Sequence, residues 1–554
     1  MNVPKAERRT VEEVSAIFSK HAGNIRASAK ELGIARSSVR RILKSTGLMK
    51  KPLAGGTVQG NEVFVETLPT KGKVRRYILT SAQNNTYVHE GVWNNLLALA
   101  EHYSAEILIG TYTYNQNHYG KLSVKQGKDK PVEKELWYDP KLQVVGFSKI
   151  CDKRVQLADG LVWCGEYNAI PTNVNPLAGL ESYTGRKSAI FPHAKLAMRS
   201  VASFQGEGVK LNYTTGTVTQ RNYIQKREGM IAEFHHIYGA LLVEVNSDGN
   251  WWVRQLNYDE GTGTVQDLQV LAEDGEIVID GEHSKAPVEA ITWGDLHGTM
   301  ADEKVVDVSL TMLDTLKPKY QFLHDVLQGT SINRHVVKNG AKNSPHYTFH
   351  RWLRGLHRVD EEFRRTAEVI KKFFRSGTLA LAPDANHDGW WLNSWLNRYD
   401  YRVDPANAEF YLDLQNHVYK TLRAGQKDEL MPRDINMMQY AFSKFGIGKS
   451  DLRFLLSDES FKTCDGKIEN GMHGHLGPKG TRGTPENLAK MGRKANTAHT
   501  HATGIYNGLY VAGTTSKLKW TYNWGPSDWT HSHIVTYPNG KRSIITIYAD
   551  KWRA

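Results

Sequence analysis

Five short segments in the second half of the sequence end an apolar or glycine-rich run in aspartate, asparagine or histidine. The runs VEAITW, YQFL and TLALAP are typical of short buried strands. Asp295 and His297 are two residues apart, so both side chains point to one side of the chain as it leaves the strand. Together they can supply two ligands to one metal ion. In chain order, the segments contain Asp295 and His297, then Asp325, then Asn386, His387 and Asp388, then His473 and His475, then His499 and His501.

The residue types in these segments indicate which kind of metal they bind. The 554-residue chain has three cysteines, Cys151, Cys164 and Cys464, and no CxxC pair, so neither a cysteine-built zinc site nor a disulfide framework is indicated. A mixture of carboxylate, amide and imidazole ligands suits Mn²⁺-like ions. The sequence therefore predicts a metal site built from Asp, Asn and His.

The order of the five segments resembles the five-block signature of the calcineurin-like metallophosphoesterases, over about residues 288 to 554. The HGHLGP and AHTH blocks are most similar to the small phosphodiesterase members of that superfamily. The resemblance implies two divalent ions, Mn²⁺ first and Mg²⁺ as the alternative, and hydrolysis of a phosphoester by in-line attack. By this resemblance the first metal is held by Asp295, His297 and His501, the second by Asn386, His473 and His499, and both by a bridging Asp325.

The same resemblance assigns roles to two further residues and leaves one ligand open. His387 would donate a proton to the leaving oxygen, with Asp388 holding its imidazole in orientation. His475 is the alternative to His473 as ligand, and we favour His473. The family usually has glycine before the bridging aspartate and before the asparagine, whereas this chain has His324 and Ala385, so the local turns can differ.

Two positively charged residues follow the HGH block. The segment GPKGTRGTP places Lys479 and Arg482 just after His475. These cations are candidates to grip a nucleic-acid backbone, and the alternative is a surface loop without that role.

The N-terminal segment carries more than half of the formal charge of +13, because residues 1 to 51 contain twelve Lys or Arg against four Glu, a net of +8. A basic module of this kind attracts polyanions. Thr10 and Glu13 form a capping box before the first of three short amphipathic helices, and Gly33 stands at the turn between the second and third.

These three helices resemble the helix-turn-helix modules of resolvase-type and Fis-type DNA binders. In such modules the last helix offers its N-terminal side chains to bases in the major groove. The resemblance implies base contacts by Arg36, Ser37 and Arg40 and phosphate contacts by Arg41 and Lys44. A small helical bundle that docks another protein is the alternative.

The predicted fold class is multidomain α/β (α+β). The predicted domains are a helix-turn-helix head at residues 1–50, a linker at 51–72, an α/β scaffolding or assembly domain at 73–285, and a metallophosphoesterase β-sandwich flanked by helices at 286–554. We find no apolar run of the roughly 18 residues that a membrane span needs and no secretory signal, so we expect residence in the cytoplasm. Symmetric homo-oligomers are the default for enzymes of this size.

A basic head tethered to a phosphoesterase favours DNA as the substrate, since the head raises the local concentration of DNA near the site. This points to the SbcD/Mre-type nuclease branch. The whole layout also resembles a pre-early protein of T-five-like tailed phages associated with host DNA degradation and DNA transfer, which implies the bacterial host cytoplasm and a phage or host protein partner. The alternatives are a DNA-binding regulator with a non-catalytic phosphoesterase-like domain, and a nucleotide phosphomonoesterase or cyclic-nucleotide phosphodiesterase.

Overall fold

The structure is a computed structural model that describes residues 11–21, 25–45, 65–67, 72–114, 137–204, 206–333, 345–402, 405–426, 430–431, 434–520 and 523–554. The chain forms two units, Met1–Glu62 and Val63–Ala554. The predicted linker at 51–72 lies largely outside the described residues. Within it, Val65–Thr67 form a strand instead, which the β-branched and aromatic sequence VFVET favours.

The first unit contains three helices, α1 (Val11–Lys20), α2 (Ile25–Leu32) and α3 (Arg36–Ser45). Their buried core consists of Val14, Ala29, Leu32, Val39 and Leu43. Gly33 adopts φ +67° between α2 and α3, a left-handed conformation that glycine reaches without steric cost. The predicted three-helix head is therefore present, although Thr10 of the expected capping box lies outside the described residues.

Nine further helices lie in the described part of the second unit. Asp302 caps one of them by accepting a hydrogen bond from the Lys304 backbone N–H over 3.1 Å. The helices are α4 (Glu90–Tyr103), α5 (Arg227–Phe234), α6 (Glu303–Leu316), α7 (Pro345–Leu353), α8 (Val359–Lys371), α9 (Trp391–Leu396), α10 (Ala408–Ala424), α11 (Met437–Ser443) and α12 (Pro485–Leu488).

The strands of the described residues, numbered along the chain, form three sheets. The largest has eleven strands of mixed direction. In spatial order they are β1 (Val65–Thr67), β5 (Arg154–Ala158), β6 (Leu161–Cys164), β7 (Ser188–Phe191), β9 (Lys210–Thr214), β8 (Met198–Val201), β22 (Gly504–Tyr506), β23 (Leu509–Val511), β21 (Ala495–Thr497), β20 (Ile468–Glu469) and β19 (Lys462–Thr463). Strands from both sides of residue 285 thus meet in one sheet, where β8 pairs with β22 antiparallel.

The second sheet has eight strands and belongs to the middle of the chain. In spatial order they are β14 (Glu276–Ile279), β13 (Val270–Glu273), β12 (Thr264–Asp267), β11 (Trp251–Asp259), β10 (Gly239–Val245), β2 (Arg75–Gln83), β3 (Glu106–Tyr112) and β4 (Ser148–Ile150). The sequence predicts β2, α4 and β3 as a strand, a helix and a strand, and β2 and β3 pair in parallel as such a unit requires.

The third sheet has six strands and carries the predicted metal-binding segments. In spatial order they are β18 (Arg453–Phe454), β17 (Leu379–Ala382), β16 (Tyr320–Phe322), β15 (Ala290–Thr292), β24 (Ser532–Thr536) and β25 (Arg542–Thr546). The first four strands of this order run parallel to one another.

The hydrophobic core joins the three sheets. One buried cluster contains Leu241 of the eight-stranded sheet, Ile190 of the eleven-stranded sheet and Ile534 of the six-stranded sheet. A larger cluster packs α6, α8 and α11 against the six-stranded sheet through residues such as Met312 and Phe363. These mixed sheets and helices confirm the predicted multidomain α/β (α+β) class, while the domain boundaries within the second unit stay predictions.

Candidate metal centre

The parallel strands of the six-stranded sheet deliver three polar side chains to one edge. Thr292 of β15 is in register with Phe322 of β16, and each strand is followed three residues later by an aspartate, Asp295 and Asp325. Asn386 follows β17 by four residues. Because the carboxyl ends of neighbouring parallel strands meet at the same edge, these side chains converge there.

One group of ligand atoms is formed by Asp295, His297 and His501, all buried. The Nε2 atom of His501 lies 2.9 Å from Oδ2 of Asp295, and the Nε2 atoms of His297 and His501 are 3.0 Å apart. Two imidazoles and a carboxylate aimed at one point can hold a metal ion.

Two more groups share Asp325. One consists of Asp325, His473 and His499, and the other of Asp325, His297 and His387. The Oδ2 atom of Asp325 lies 3.2 Å from Nε2 of His473 and 3.9 Å from Nε2 of His297. The same carboxylate oxygen therefore faces ligand atoms on both sides, which is the placement a bridging ligand requires.

Buried acceptors without partners show that the residues fit a cation. Oδ1 of Asn386 and Nδ1 of His499 are buried and have no hydrogen-bond partner among the described residues. Leaving such atoms unpaired is costly unless another group binds them. An amide oxygen, carboxylates and imidazoles together match a divalent cation such as Mn²⁺.

The electrostatics also favour cation binding. Burial, reinforced by neighbouring histidines, lowers the pKa of His297 and of His473 well below the ordinary value, so both rings are neutral near pH 7 and keep a lone pair for a metal. Burial and the neighbouring carboxylates of Asp295 and Asp388 raise the pKa of Asp325 well above its ordinary value. A cation between these carboxylates would relieve their repulsion.

Four of the predicted ligands adopt left-handed backbone conformations. The φ angles are +45° at His297, +40° at Asp325, +72° at His499 and +59° at His501. Such angles are uncommon outside glycine and are concentrated at functional sites. At these four ligands, the left-handed backbone is therefore part of how the side chains are positioned.

His387 lies in a π-type turn, Asn386–Trp390, that leads into α9. Its backbone N–H donates to Oδ1 of Asp325 over 3.0 Å, and its Nδ1 is 2.8 Å from the carbonyl oxygen of Gln328. The ring also stacks on Trp391 with centroids 3.9 Å apart. Three contacts thus fix the position of this imidazole.

Asp388 has a different partner from the one expected. Its carboxylate accepts hydrogen bonds from the backbone N–H groups of Val326 and Leu327, over 3.1 and 2.8 Å, rather than holding the His387 imidazole. The carbonyl of Gln328 takes that place. Through these hydrogen bonds, Asp388 links the segment after Asp325 to the turn that contains His387.

The two departures from the family pattern have distinct surroundings. His324, in the place of the usual glycine, is fully buried, and its Nδ1 lies 3.2 Å from Nδ1 of His473. Ala385 is buried directly before the turn of Asn386. Between the two candidate ligands of the HGH block, His473 contacts Asp325, whereas His475 belongs to none of the metal-binding groups among the described residues.

Two tryptophans that no sequence motif marks as functional lie against the ligand histidines. The ring of Trp520 meets that of His297 edge-on at 4.7 Å, and Trp529 meets His501 at 4.1 Å. Both segments are rich in tryptophan, but composition alone does not distinguish a site wall from ordinary core. These rings limit the access of water from this side.

Most of the residues predicted to bind DNA are exposed in the described part of the chain. Arg36, Ser37, Arg40 and Arg41 are exposed on α3, while the side chain of Lys44 lies outside the described residues. Lys479 and Arg482 are exposed after the HGH block. Burial is the largest cause that lowers the pKa of His499 to about 4, and the charge of Arg482 adds to it. The backbone of Arg482 forms a β-bridge with Leu476, the residue after His475.

Comparison with known proteins finds one extensive similarity. The chain is 34% identical over 533 residues to Protein A1 of Escherichia phage T5, which covers 94% of this chain and 89% of that protein. No family model matches the sequence, and no solved structure matches it. Among the helices of the described residues, none has the length and apolar character to cross a membrane.

Proposed function

The chain belongs to the family of Protein A1 of Escherichia phage T5, and from this and the buried Asp and His groups we propose that it is a metal-dependent DNA nuclease of the calcineurin-like type. It would be phage-encoded and act in the host cytoplasm on host DNA. The observation that carries the proposal is Asp325, whose carboxylate belongs to two ligand groups at once.

The proposed ligands divide as the resemblance implies. Two divalent ions, Mn²⁺ or alternatively Mg²⁺, would supply the Lewis acidity that activates water for attack on phosphorus and balances charge on the phosphate oxygens. One set consists of Asp295, His297 and His501, the other of Asn386, His473 and His499, with Asp325 in both. The free acceptor Oδ1 of Asn386 supports its inclusion.

His387 is the proposed proton donor to the leaving oxygen. Its Nδ1 must donate to the Gln328 carbonyl, because a carbonyl oxygen only accepts, and this leaves Nε2 to face the substrate. Burial lowers the pKa of the free ring to about 3, so the ring is neutral near pH 7 before substrate binds. It would take up its second proton together with the phosphodiester, whose negative charge favours the protonated form. Trp391 holds the plane of the ring, so the proton is delivered in one direction.

DNA as the substrate is supported by the two exposed cationic surfaces. The exposed arginines of α3 supply a basic face in the first unit, and Lys479 and Arg482 are exposed after the HGH block in the second. Contacts of these cations with phosphates would position the duplex without selecting a sequence. A nucleotidase or cyclic-nucleotide enzyme would have no use for the first of these surfaces.

The test is hydrolysis by the purified full chain with Mn²⁺ or Mg²⁺ and with chelator. The substrates are plasmid DNA, linear duplex, single strands, a chromogenic phosphodiester and a chromogenic phosphomonoester. We expect metal-dependent cleavage of DNA and of the diester. Cleavage of the monoester alone would indicate a phosphatase, and DNA binding without hydrolysis of any substrate would indicate a regulator.

A further inference from the structure

A cavity of about 390 Å³ opens beside the metal centre. His473 and His475 are among the residues that line it. Its walls are largely apolar, with Leu456, Met472 and Met491 among them. This volume lies within the roughly 300 to 1,000 Å³ of small-molecule pockets.

The charged residues of the cavity disfavour an anionic ligand. Asp384, Asp458, Glu459 and Glu469 contribute four carboxylates to its lining, against the single guanidinium of Arg493. Glu459 and Glu469 are occupied, since Glu459 pairs with Arg453 and both accept hydrogen bonds from backbone N–H groups of the loop around them. With Arg453 counted, carboxylates still outnumber cations four to two, which disfavours a phosphate but not a neutral ring.

One side chain in the lining has an unpaired polar atom. His475 lines the cavity, and its buried Nδ1 has no hydrogen-bond partner among the described residues. It also lies outside the three metal-binding groups. Its imidazole is thus available to a molecule that enters the cavity.

We propose that this cavity receives one unstacked nucleobase of the substrate strand, next to the phosphate that is cleaved. The inference rests on the proposed nuclease function and adds the form of DNA on which the site acts. A nucleobase is flat, neutral and edged with amide and amino groups. Methionine thioethers pack well against such rings, a carboxylate such as that of Asp458 accepts from exocyclic amino groups, and the charged backbone stays outside.

The consequence is a requirement for an unpaired base at the site of cleavage. A base inside a duplex must leave its stack before it enters such a pocket, and this step is easiest in single strands, at frayed ends and at mismatches. The enzyme therefore cuts single-stranded or frayed DNA faster than intact duplex of the same sequence.

The experiment combines a substrate lacking one base with a variant that fills the cavity. A set of single-stranded oligonucleotides with one abasic site at successive positions includes the position that flanks the cleaved bond. Met491 is 41% exposed at the cavity, so Met491→Trp adds bulk there without disturbing a buried core. Met230→Trp, at a 58% exposed methionine on α5, is the matched control.

For the wild type and the Met230→Trp control, we expect the abasic site at one flanking position to lower kcat/KM by roughly tenfold or more. Met491→Trp should lower kcat/KM on the intact strand by a similar factor and lose the discrimination against the abasic strand. Hydrolysis of the small chromogenic diester should be the same in all three proteins.

The other outcomes distinguish failure of the nucleobase site from failure of the nuclease proposal. If the diester is cleaved but no abasic position slows the wild type, or if Met491→Trp discriminates as the wild type does, the nucleobase site is wrong and the nuclease proposal stands. If the wild type cleaves neither the diester nor DNA, both fail together. Faster cleavage of intact duplex than of single strands would also overturn the base pocket alone.

Discussion

The backbone N–H of His387 donates a hydrogen bond to Oδ1 of Asp325 over 3.0 Å, while Oδ2 of the same carboxylate faces His473 at 3.2 Å. One oxygen thus holds the turn of the proposed proton donor, and the other faces the metal ligands. The position of the proton donor and that of the metal site are therefore coupled through Asp325.

Asp325→Asn should abolish metal-dependent hydrolysis. Asparagine keeps an oxygen to accept from His387 but loses the charge that a bridging ligand supplies, and we expect a loss of at least about 10²-fold, since even partners behind the ligands contribute 10- to 100-fold. Asp295→Ala should also abolish activity with a smaller loss of bound metal. Metal analysis, hydrolysis rate and duplex affinity are measured together, with the exposed Asp314→Asn as control. Wild-type rates in Asp325→Asn would overturn the assignment.

His387→Ala and Asn386→Ala should have separable effects. His387→Ala should retain metal and slow cleavage of DNA by roughly 10²- to 10⁴-fold, the usual contribution of a general acid. A nitrophenyl diester needs little protonation of its leaving group, so it should lose much less. Asn386→Ala should lower metal content and slow both substrates alike. Equal slowing of both substrates by His387→Ala would contradict the proton-donor role.

Removing charge from α3 should weaken DNA binding in a salt-dependent way. Replacing the exposed Arg36, Arg40 and Arg41 by alanine should lower the slope of log affinity against log salt by about 0.9 for each phosphate that the protein no longer neutralises. Diester hydrolysis should persist. The control is a triple variant at three exposed cations of the second unit, Lys317, Lys372 and Arg423. An unchanged slope in the α3 variant would favour the protein-docking alternative.

Acid should destabilise the fold partly through His533. Its ring is fully buried, Nδ1 accepts from the Gly294 backbone N–H, and burial lowers the pKa to about 3. Below about pH 6.5 the unfolded chain binds a proton here that the folded chain does not, so the free energy of unfolding falls by up to about 1.4 kcal/mol per pH unit.

The variant His533→Gln should therefore show a shallower loss of stability between pH 6.5 and 4.5 in denaturant titrations than the wild type. His350→Gln, an exposed histidine on α7, is the control and should keep the wild-type slope. Identical slopes in His533→Gln and the wild type would show that this ring is not one of the groups titrated on unfolding.

Sequence patterns predict the strands and ligands of this site because both are local. β15, β16 and β17 are short apolar runs, and the polar residues that follow them are adjacent in the chain. The surroundings of the site depend on distant parts of the chain instead. The contact of His324 with His473 and the ring of Trp520 against His297 join segments about 150 to 220 residues apart, which no local pattern encodes.

The partner of Asp388 illustrates the same limit at short range. Its position beside His387 suggests a side-chain pair, but the φ of −89° and ψ of −108° at Asp388 turn its carboxylate toward the backbone of Val326 and Leu327. The pairing of β8 with β22 is likewise invisible to an interpretation that treats residues 73–285 as separate from the rest. Adjacency in sequence is thus a weak guide to side-chain partners in tight turns.

The left-handed backbone at His297, Asp325, His499 and His501 also restricts how this site can evolve. A β-branched residue at any of these positions meets a steric penalty before its chemistry is considered, whereas asparagine, aspartate and glycine tolerate the conformation. Substitutions at these four positions are therefore restricted by the backbone conformation as well as by metal coordination. Descendants that lose hydrolysis should retain small polar residues or glycine there long after the metal ligands have gone.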